Sequence, residues 1–204
     1  MNTTTQQQSR TKITRNNILD AAIELYIAQG VQNTSISSII DHSGVGRTTF
    51  YRYFNDADDV LNQAVVRDFN AVMAEFETQR HEHESLTAQI VEDMVWFIRK
   101  LQRGALGLLF SDNSRALYHR LGASLASFAE AGKACSRPTF TRAQRQGRLR
   151  PGVTLEKYVD WVTFIVVSVE SVQFPMTRDE FRLREMLRDF LVPSLILPQS
   201  NRIE

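Results

Sequence analysis

Residues Ser35 to Phe54 read Ser-Ile-Ser-Ser-Ile-Ile-Asp-His-Ser-Gly-Val-Gly-Arg-Thr-Thr-Phe-Tyr-Arg-Tyr-Phe. Two short amphipathic runs meeting at a glycine constrain the fold more than any other part of the chain. Gly44 can take the positive φ that a sharp turn after a helix demands, and Val45 can plug the space between the two helices. Upstream, Ser35 reads as the N-cap of a helix over 36–42, and Ile36, Ile39 and Ile40 fall at i, i+3 and i+4 on one inward face, with Ser37 and Ser38 outward. Downstream, Val45, Phe50 and Phe54 recur at roughly helical spacing toward the core. That leaves Arg47, Thr48, Thr49, Tyr51, Arg52 and Tyr53 less committed to packing, and most of them can donate hydrogen bonds to bases or phosphates. This is the layout of a helix-turn-helix that reads DNA.

Charge and composition set the outer limits. The chain has 204 residues, 43% of them hydrophobic, enough for one small head and one helical body with a sizeable core. A formal charge of +1 gives the molecule as a whole no strong attraction for nucleic acid, so DNA binding has to come from local clustering. Over 10–53, Arg10, Lys12, Arg15, Arg47 and Arg52 stand against Asp20, Glu24 and Asp41, an excess of about +2. The lone Cys135 allows no intrachain disulfide and suits a reducing compartment, where it is expected to act as a small buried apolar side chain. No run approaches the length of apolar residues needed to span a membrane, and Met1 to Ser9 is polar, so no membrane association and a cytoplasmic location are expected.

Periodicity predicts helices along the rest of the chain. Residues 1–9 are rich in Thr and Gln and are expected to be disordered. A first helix begins near Thr14 with Ile18, Ala22, Leu25 and Tyr26 inward, and ends at Gly30. Asp56 can cap a longer helix over about 57–80 with an apolar stripe from Val60 to Phe76, which would join head to body. The run His81-Glu82-His83-Glu84 is expected to be a solvated link rather than a metal site, because i and i+2 side chains diverge on a helix and no third ligand sits at helical spacing.

Further helices are expected over about 87–103, over 113–147 with a bend or break at Gly132 and Pro138, over 155–174, and over 178–191 with Pro193 near its end. The arginines at 142, 145, 148 and 150 read as a solvated helix end. The helix over 155–174 is apolar nearly all round and needs cover on two sides. With the last helix it carries surplus apolar surface that suggests a subunit interface.

A set of residues in the first 60 or so resembles the TetR family of bacterial transcriptional repressors. The matching pieces are Thr14-Arg15, Ile18-Leu19 with Ala21-Ala22, Leu25-Tyr26, Gly30, Thr34-Ser35, Ile39-Ile40, Gly44-Val45-Gly46, Thr49 to Phe54, and Leu61. The family usually sets a lysine at the start of the fourth helix; here Ala57 stands there among Asn55, Asp56, Asp58 and Asp59. Affinity is therefore expected to lean on Thr14, Arg15, Arg47, Arg52, Tyr51 and Tyr53, and the full set of expected DNA contacts adds Ser35, Ser37, Thr48 and Thr49.

The resemblance implies an all-α fold: a three-helix helix-turn-helix head over 10–56 joined to a ligand-binding and dimerisation body over 57–197. It implies a homodimer through the last two long helices, two reading heads, a palindromic operator in double-stranded DNA and release of that operator when a small molecule enters the body. Candidate lining residues for a largely apolar effector are Met94, Trp96, Phe97, Phe110, Tyr118, Phe128, Trp161 and Phe164. No nucleophile elbow, glycine-rich phosphate loop, zinc signature or inward carboxylate pair points to an enzyme, and no cofactor or metal is expected. The alternatives are a ligand-binding relative with weakened or lost DNA binding, and an activator without a small-molecule effector.

Overall fold

A computed structural model of the chain describes residues 3–101, 107, 125–172 and 179–198. Among them the fold is all helical. Helix α1 spans Thr3–Gln29, α2 Ile36–Ser43, α3 Arg47–Tyr53, α4 Ala57–Gln79, α5 Leu86–Leu101, α6 Leu125–Arg145, α7 Leu155–Val172 and α8 Glu180–Met186. A π-type turn over Leu187–Leu191 then leads into α9, Val192–Leu195. An antiparallel bridge pairs Leu149 with Ile196, flanked by Arg150 N donating to Leu195 O and Leu197 N to Arg148 O. None of the described helices is long and apolar enough to cross a membrane.

The chain divides into two compact units, Met1–Phe69 with Gly104–Leu125, and Asn70–Arg103 with Ala126–Glu204. In the first, Ile18, Leu19, Ala22 and Tyr26 of α1, Ile39 of α2, Phe50 of α3, Phe54, and Val60, Leu61, Ala64 and Val65 of α4 are all buried. The caps form where the side chains call for them. Ser35 Oγ accepts from Ser38 N at 3.0 Å while Ser38 Oγ accepts from Ser35 N at 3.0 Å, a reciprocal pair that satisfies two otherwise orphaned donors. Gly44 closes α2 at φ 67°, the left-handed conformation expected of it, and Gly30 follows α1 at φ 84°. Asp56 Oδ1 accepts from Asp59 N at 2.8 Å, and Asp59 Oδ2 from Asn55 N at 2.9 Å, so two acids open α4.

In the second unit α5 buries Leu86, Ile90, Val91, Met94, Val95, Ile98 and Leu101, and α6 buries Cys135, Thr139 and Ala143 at intervals of four. Burial pushes the Cys135 thiol up to about 11, with its sulfur 3.4 Å from Met73 Sδ, so it stays a protonated, packed side chain. The His81 to Glu84 segment links α4 to α5. The buried Gln89 accepts from His83 N at 2.9 Å and donates to His81 O at 3.1 Å, while Arg142 donates to His83 O at 2.6 Å and also to Glu84 O.

Helical backbone reaches back to Thr3, as glutamines are good helix formers and neither Gly nor Pro interrupts the run before Gly30. Two expectations are corrected. Pro138 lies within α6 rather than breaking it. It sits on the exposed side, and the stripe of Cys135, Thr139 and Ala143 holds the helix through the lost hydrogen bond. The last helix extends past Leu191, since the π-type turn places Pro193 at the opening of α9, where a missing N–H costs least.

No atom lies within 4 Å of where a Cβ on Gly44 would stand, so Gly44→Ala isolates the backbone term. A loss of about 1 kcal/mol in unfolding free energy is expected from urea denaturation, the cost of a left-handed conformation in a residue with a Cβ.

Candidate nucleic-acid interface

The turn between α2 and α3 decides which side of α3 faces outward. Phe50 is fully buried and Phe54 nearly so, their rings 5.6 Å apart, and with them fixed in the core the opposite side of the helix is turned to solvent. Arg47, Thr48, Tyr51 and Arg52 are exposed, whereas Thr49 and Tyr53 are half-buried. Ser37 of α2 is exposed as well, and Ser35 is engaged in its cap.

Two of these cations rest on aromatic faces. The guanidinium carbon of Arg47 lies 5.7 Å from the ring centre of Tyr51, and that of Arg52 lies 5.0 Å from the ring centre of Tyr53. Such contacts contribute about 0.5–1 kcal/mol at exposed sites and limit the rotamers a long side chain must lose on binding. Arg52 Nη2 donates to Tyr53 Oη at 3.3 Å, which is the main reason the Tyr53 phenol lies below its ordinary range. Thr11 and Thr14 of α1 lower it further, so α1 and the end of α3 meet at this ring.

Arg15 is half-buried on α1 and donates through Nε and Nη2 to Gln63 Oε1 of α4. Arg67 joins the same two helices, donating to Asn16 O at 3.3 Å and pairing with Asp20 at 2.7 Å. His42 Nε2 sits 2.7 Å from Glu24 Oε2, tying α2 to α1. Sequence reasoning did not single out Gln63 or Arg67. The hydrogen bond between Arg15 and Gln63 spans 48 positions, and no local pattern signals it.

Of the residues expected to line an effector pocket, Met94 is buried in α5, Trp96 and Phe97 lie 5.2 and 4.4 Å from the Phe76 ring, and Phe128 is half-buried. Trp161 and Phe164 stack on each other with centroids 5.5 Å apart on the surface of the chain, 40% and 57% exposed, and Trp161 Nε1 donates to Ser194 Oγ. Phe110 and Tyr118 lie outside the described residues.

Of the six among the described residues, Trp96 alone lines a cleft of about 630 Å³ in the second unit. Its wall is charged: Lys100 pairs with Glu75, Arg80 with Asp93, and Arg184 with Glu92 and Glu180. Among the described residues no group of three or more His, Cys, Asp or Glu could hold a metal ion.

A helix-turn-helix head with an outward face of hydroxyls, arginines and tyrosines, followed by helices among the other described residues, is the architecture of a DNA-binding head. Residues 18–64 match the model of bacterial regulatory proteins of the tetR family, and the head is a TetR-family head. An HTH-type transcriptional regulator of Staphylococcus aureus (strain bovine RF122 / ET3-1) is 31% identical over 71 residues, which are 35% of this chain and 38% of that relative. The chain thus spans about two fifths of that relative's length.

Solved structures extend the likeness in fold to most of the chain. Salmonella enterica GusR aligns with a TM-score of 0.69 at 20% identity, over 89% of this chain and 95% of that one. The transcriptional regulator FadR of Bacillus subtilis, solved with stearoyl-CoA, aligns at 0.64 with 15% identity, over 85% and 97%.

Glu92 is held below the ordinary carboxylate range, chiefly by hydrogen bonds from Arg184 at 2.8 and 3.0 Å. A carboxylate with a lowered folded pKa contributes stability that is full above its unfolded value of about 4.5 and is lost as pH falls through the lower folded value. Both side chains are about one-third exposed, so Arg184→Ala is expected to cost no more than about 1 kcal/mol at neutral pH. The gap between wild type and variant in urea unfolding should narrow below about pH 4.5.

Proposed function

We propose that this chain is a sequence-specific DNA-binding transcriptional regulator that acts as a homodimer and represses until a small molecule binds its C-terminal body. The observation that carries this is the outward face of α3, where Arg47, Thr48, Tyr51 and Arg52 stand exposed over the buried Phe50 and Phe54. Arginine can bond the acceptor edge of guanine in two places, threonine suits either hydrogen bonding or a thymine methyl, and contacts to phosphate fix the register. Thr14, Arg15, Ser37, Thr49 and Tyr53 complete the contact set, and Ser35 supports it by capping α2. The head over 10–56 reads DNA, and the body over 57–197 senses the signal and holds two copies together in the cytoplasm.

The dimer rests on the apolar surface of the last two long helices. Phe164 on α7, Phe181 on α8 and Phe190 in the turn after it are 57%, 67% and 75% exposed in the single chain, more than isolated surface apolar residues call for. A two-fold axis through this surface presents two identical heads and selects a palindromic operator. The effector is a small, largely apolar molecule lined by Met94, Trp96, Phe97, Phe110, Tyr118, Phe128, Trp161 and Phe164. The stearoyl-CoA bound by the FadR of similar fold supports an effector with a substantial apolar part.

Arg47→Ala combined with Tyr51→Ala tests the reading face. Both side chains are exposed, so the unfolding midpoint is expected to stay within about 0.5 kcal/mol of wild type. Affinity for a duplex that the wild type retards in a mobility titration is expected to fall at least about 30-fold, two lost base contacts at 1–3 kcal/mol each. Unchanged binding would refute this face. In sedimentation at micromolar concentration the wild type is expected as a dimer and Phe190→Glu as a monomer; a monomeric wild type would refute the dimer.

A further inference from the structure

The opening turn of α4 carries no cation of its own, since it reads Ala57-Asp58-Asp59 after Asn55-Asp56. A cation is nonetheless tied to it from α1. Arg15 Nε donates to Gln63 Oε1 at 3.0 Å and Nη2 to the same oxygen at 2.5 Å. Gln63 Nε2 donates to Asp59 Oδ1 at 2.5 Å, and Asp59 Oδ2 accepts from the backbone N–H and the side-chain amide of Asn55 at 2.9 and 3.1 Å. Asp59 N in turn donates to Asp56 Oδ1 at 2.8 Å. One continuous chain of hydrogen bonds therefore runs from the cap of α4 to the guanidinium on α1.

Two features of this chain bear on nucleic acid. Both acids are engaged by N–H donors of the 55–59 turn, so their charge is partly spent there instead of facing outward unopposed. The amide of Gln63 stands between Asp59 and Arg15, and among the described residues Arg15 pairs with no carboxylate. Its charge is left unneutralised, and three of its five N–H donors remain for an incoming oxygen anion. A neutral amide is what such a relay needs, because a glutamate at 63 would pair with Arg15 directly and cancel the charge.

We propose that Gln63 and Asp59 are positioning residues that hold Arg15 as a backbone-phosphate contact of the head. Gln63 acts through Arg15 and touches no nucleotide. This rests on the DNA-binding reading above, and the experiment separates the two.

The full-length protein is titrated by mobility shift against one duplex that the wild type binds, over a series of salt concentrations, as wild type, Arg15→Ala, Gln63→Ala and the double variant. Loss of one phosphate contact is expected to reduce the slope of log affinity against log salt by about 0.9 in Arg15→Ala. Gln63→Ala is expected to weaken binding about five-fold in the wild-type background and less than about two-fold beside Arg15→Ala, the non-additivity of residues acting as a unit. A side chain that merely supports the fold would lower affinity equally in both backgrounds.

If Arg15→Ala lowers the melting midpoint, Arg15→Gln keeps a hydrogen bond to Gln63 without the charge and gives the same slope test. An unchanged slope in the Arg15 variants, or an equal cost of Gln63→Ala in both backgrounds, overturns this proposal alone. Absence of any duplex binding by the wild type overturns the regulator reading and this proposal with it.

Discussion

The burial of Phe50 and Phe54 is the constraint on which the head depends. A helix of seven residues has no stability of its own in water, because its nucleation cost is spread over too few hydrogen bonds. Helix α3 exists because one of its faces is locked into the core, and full burial of each phenylalanine contributes about 2–3 kcal/mol. The ring of Phe50 also meets that of Tyr51 edge on, at 5.4 Å, so the buried residue helps orient its exposed neighbour. Fixing one face by apolar packing leaves Arg47, Thr48, Tyr51 and Arg52 outward without any further device.

The polar contacts of the head hold the helices around that core in register. Arg67 to Asp20 and Asn16, Arg15 to Gln63, and His42 to Glu24 each join elements that the chain separates by 18 or more positions. Exposed or half-exposed pairs of this kind add little stability one at a time. Their value is geometric: several of them together fix where α1 stands against α2 and α4, and with it where Thr14 and Arg15 lie. Gly44 and the reciprocal Ser35–Ser38 cap fix the ends of α2 in the same local way.

Much of the head was legible in the sequence because its determinants are local. A glycine with positive φ, a serine cap, isoleucines at i, i+3 and i+4, and phenylalanines on the inner side of α3 are short-range signals, and each appears where the pattern places it. The Arg15–Gln63–Asp59 chain was not legible, since it depends on which residues two packed helices bring together. In the body, Gly132 and Pro138 signal a break when read locally. Tertiary packing overrides them: the Cys135, Thr139 and Ala143 stripe carries α6 through, and Gly132 instead allows the close approach of Val159, 3.1 Å from where a Cβ would stand. Which aromatic residues are buried and which are exposed, as Trp161 and Phe164 are, depends on the same tertiary packing and carries no local signal.

The central claim is that two copies of this head read a symmetric sequence through the exposed face of α3. Selection of bound duplexes from a random pool by the purified full-length protein tests it most directly. The account predicts enrichment of one inverted repeat whose half-sites lie about one helical turn, or a multiple of it, apart. Recovery of unrelated sequences, or of a single unpaired half-site, by folded protein would contradict it.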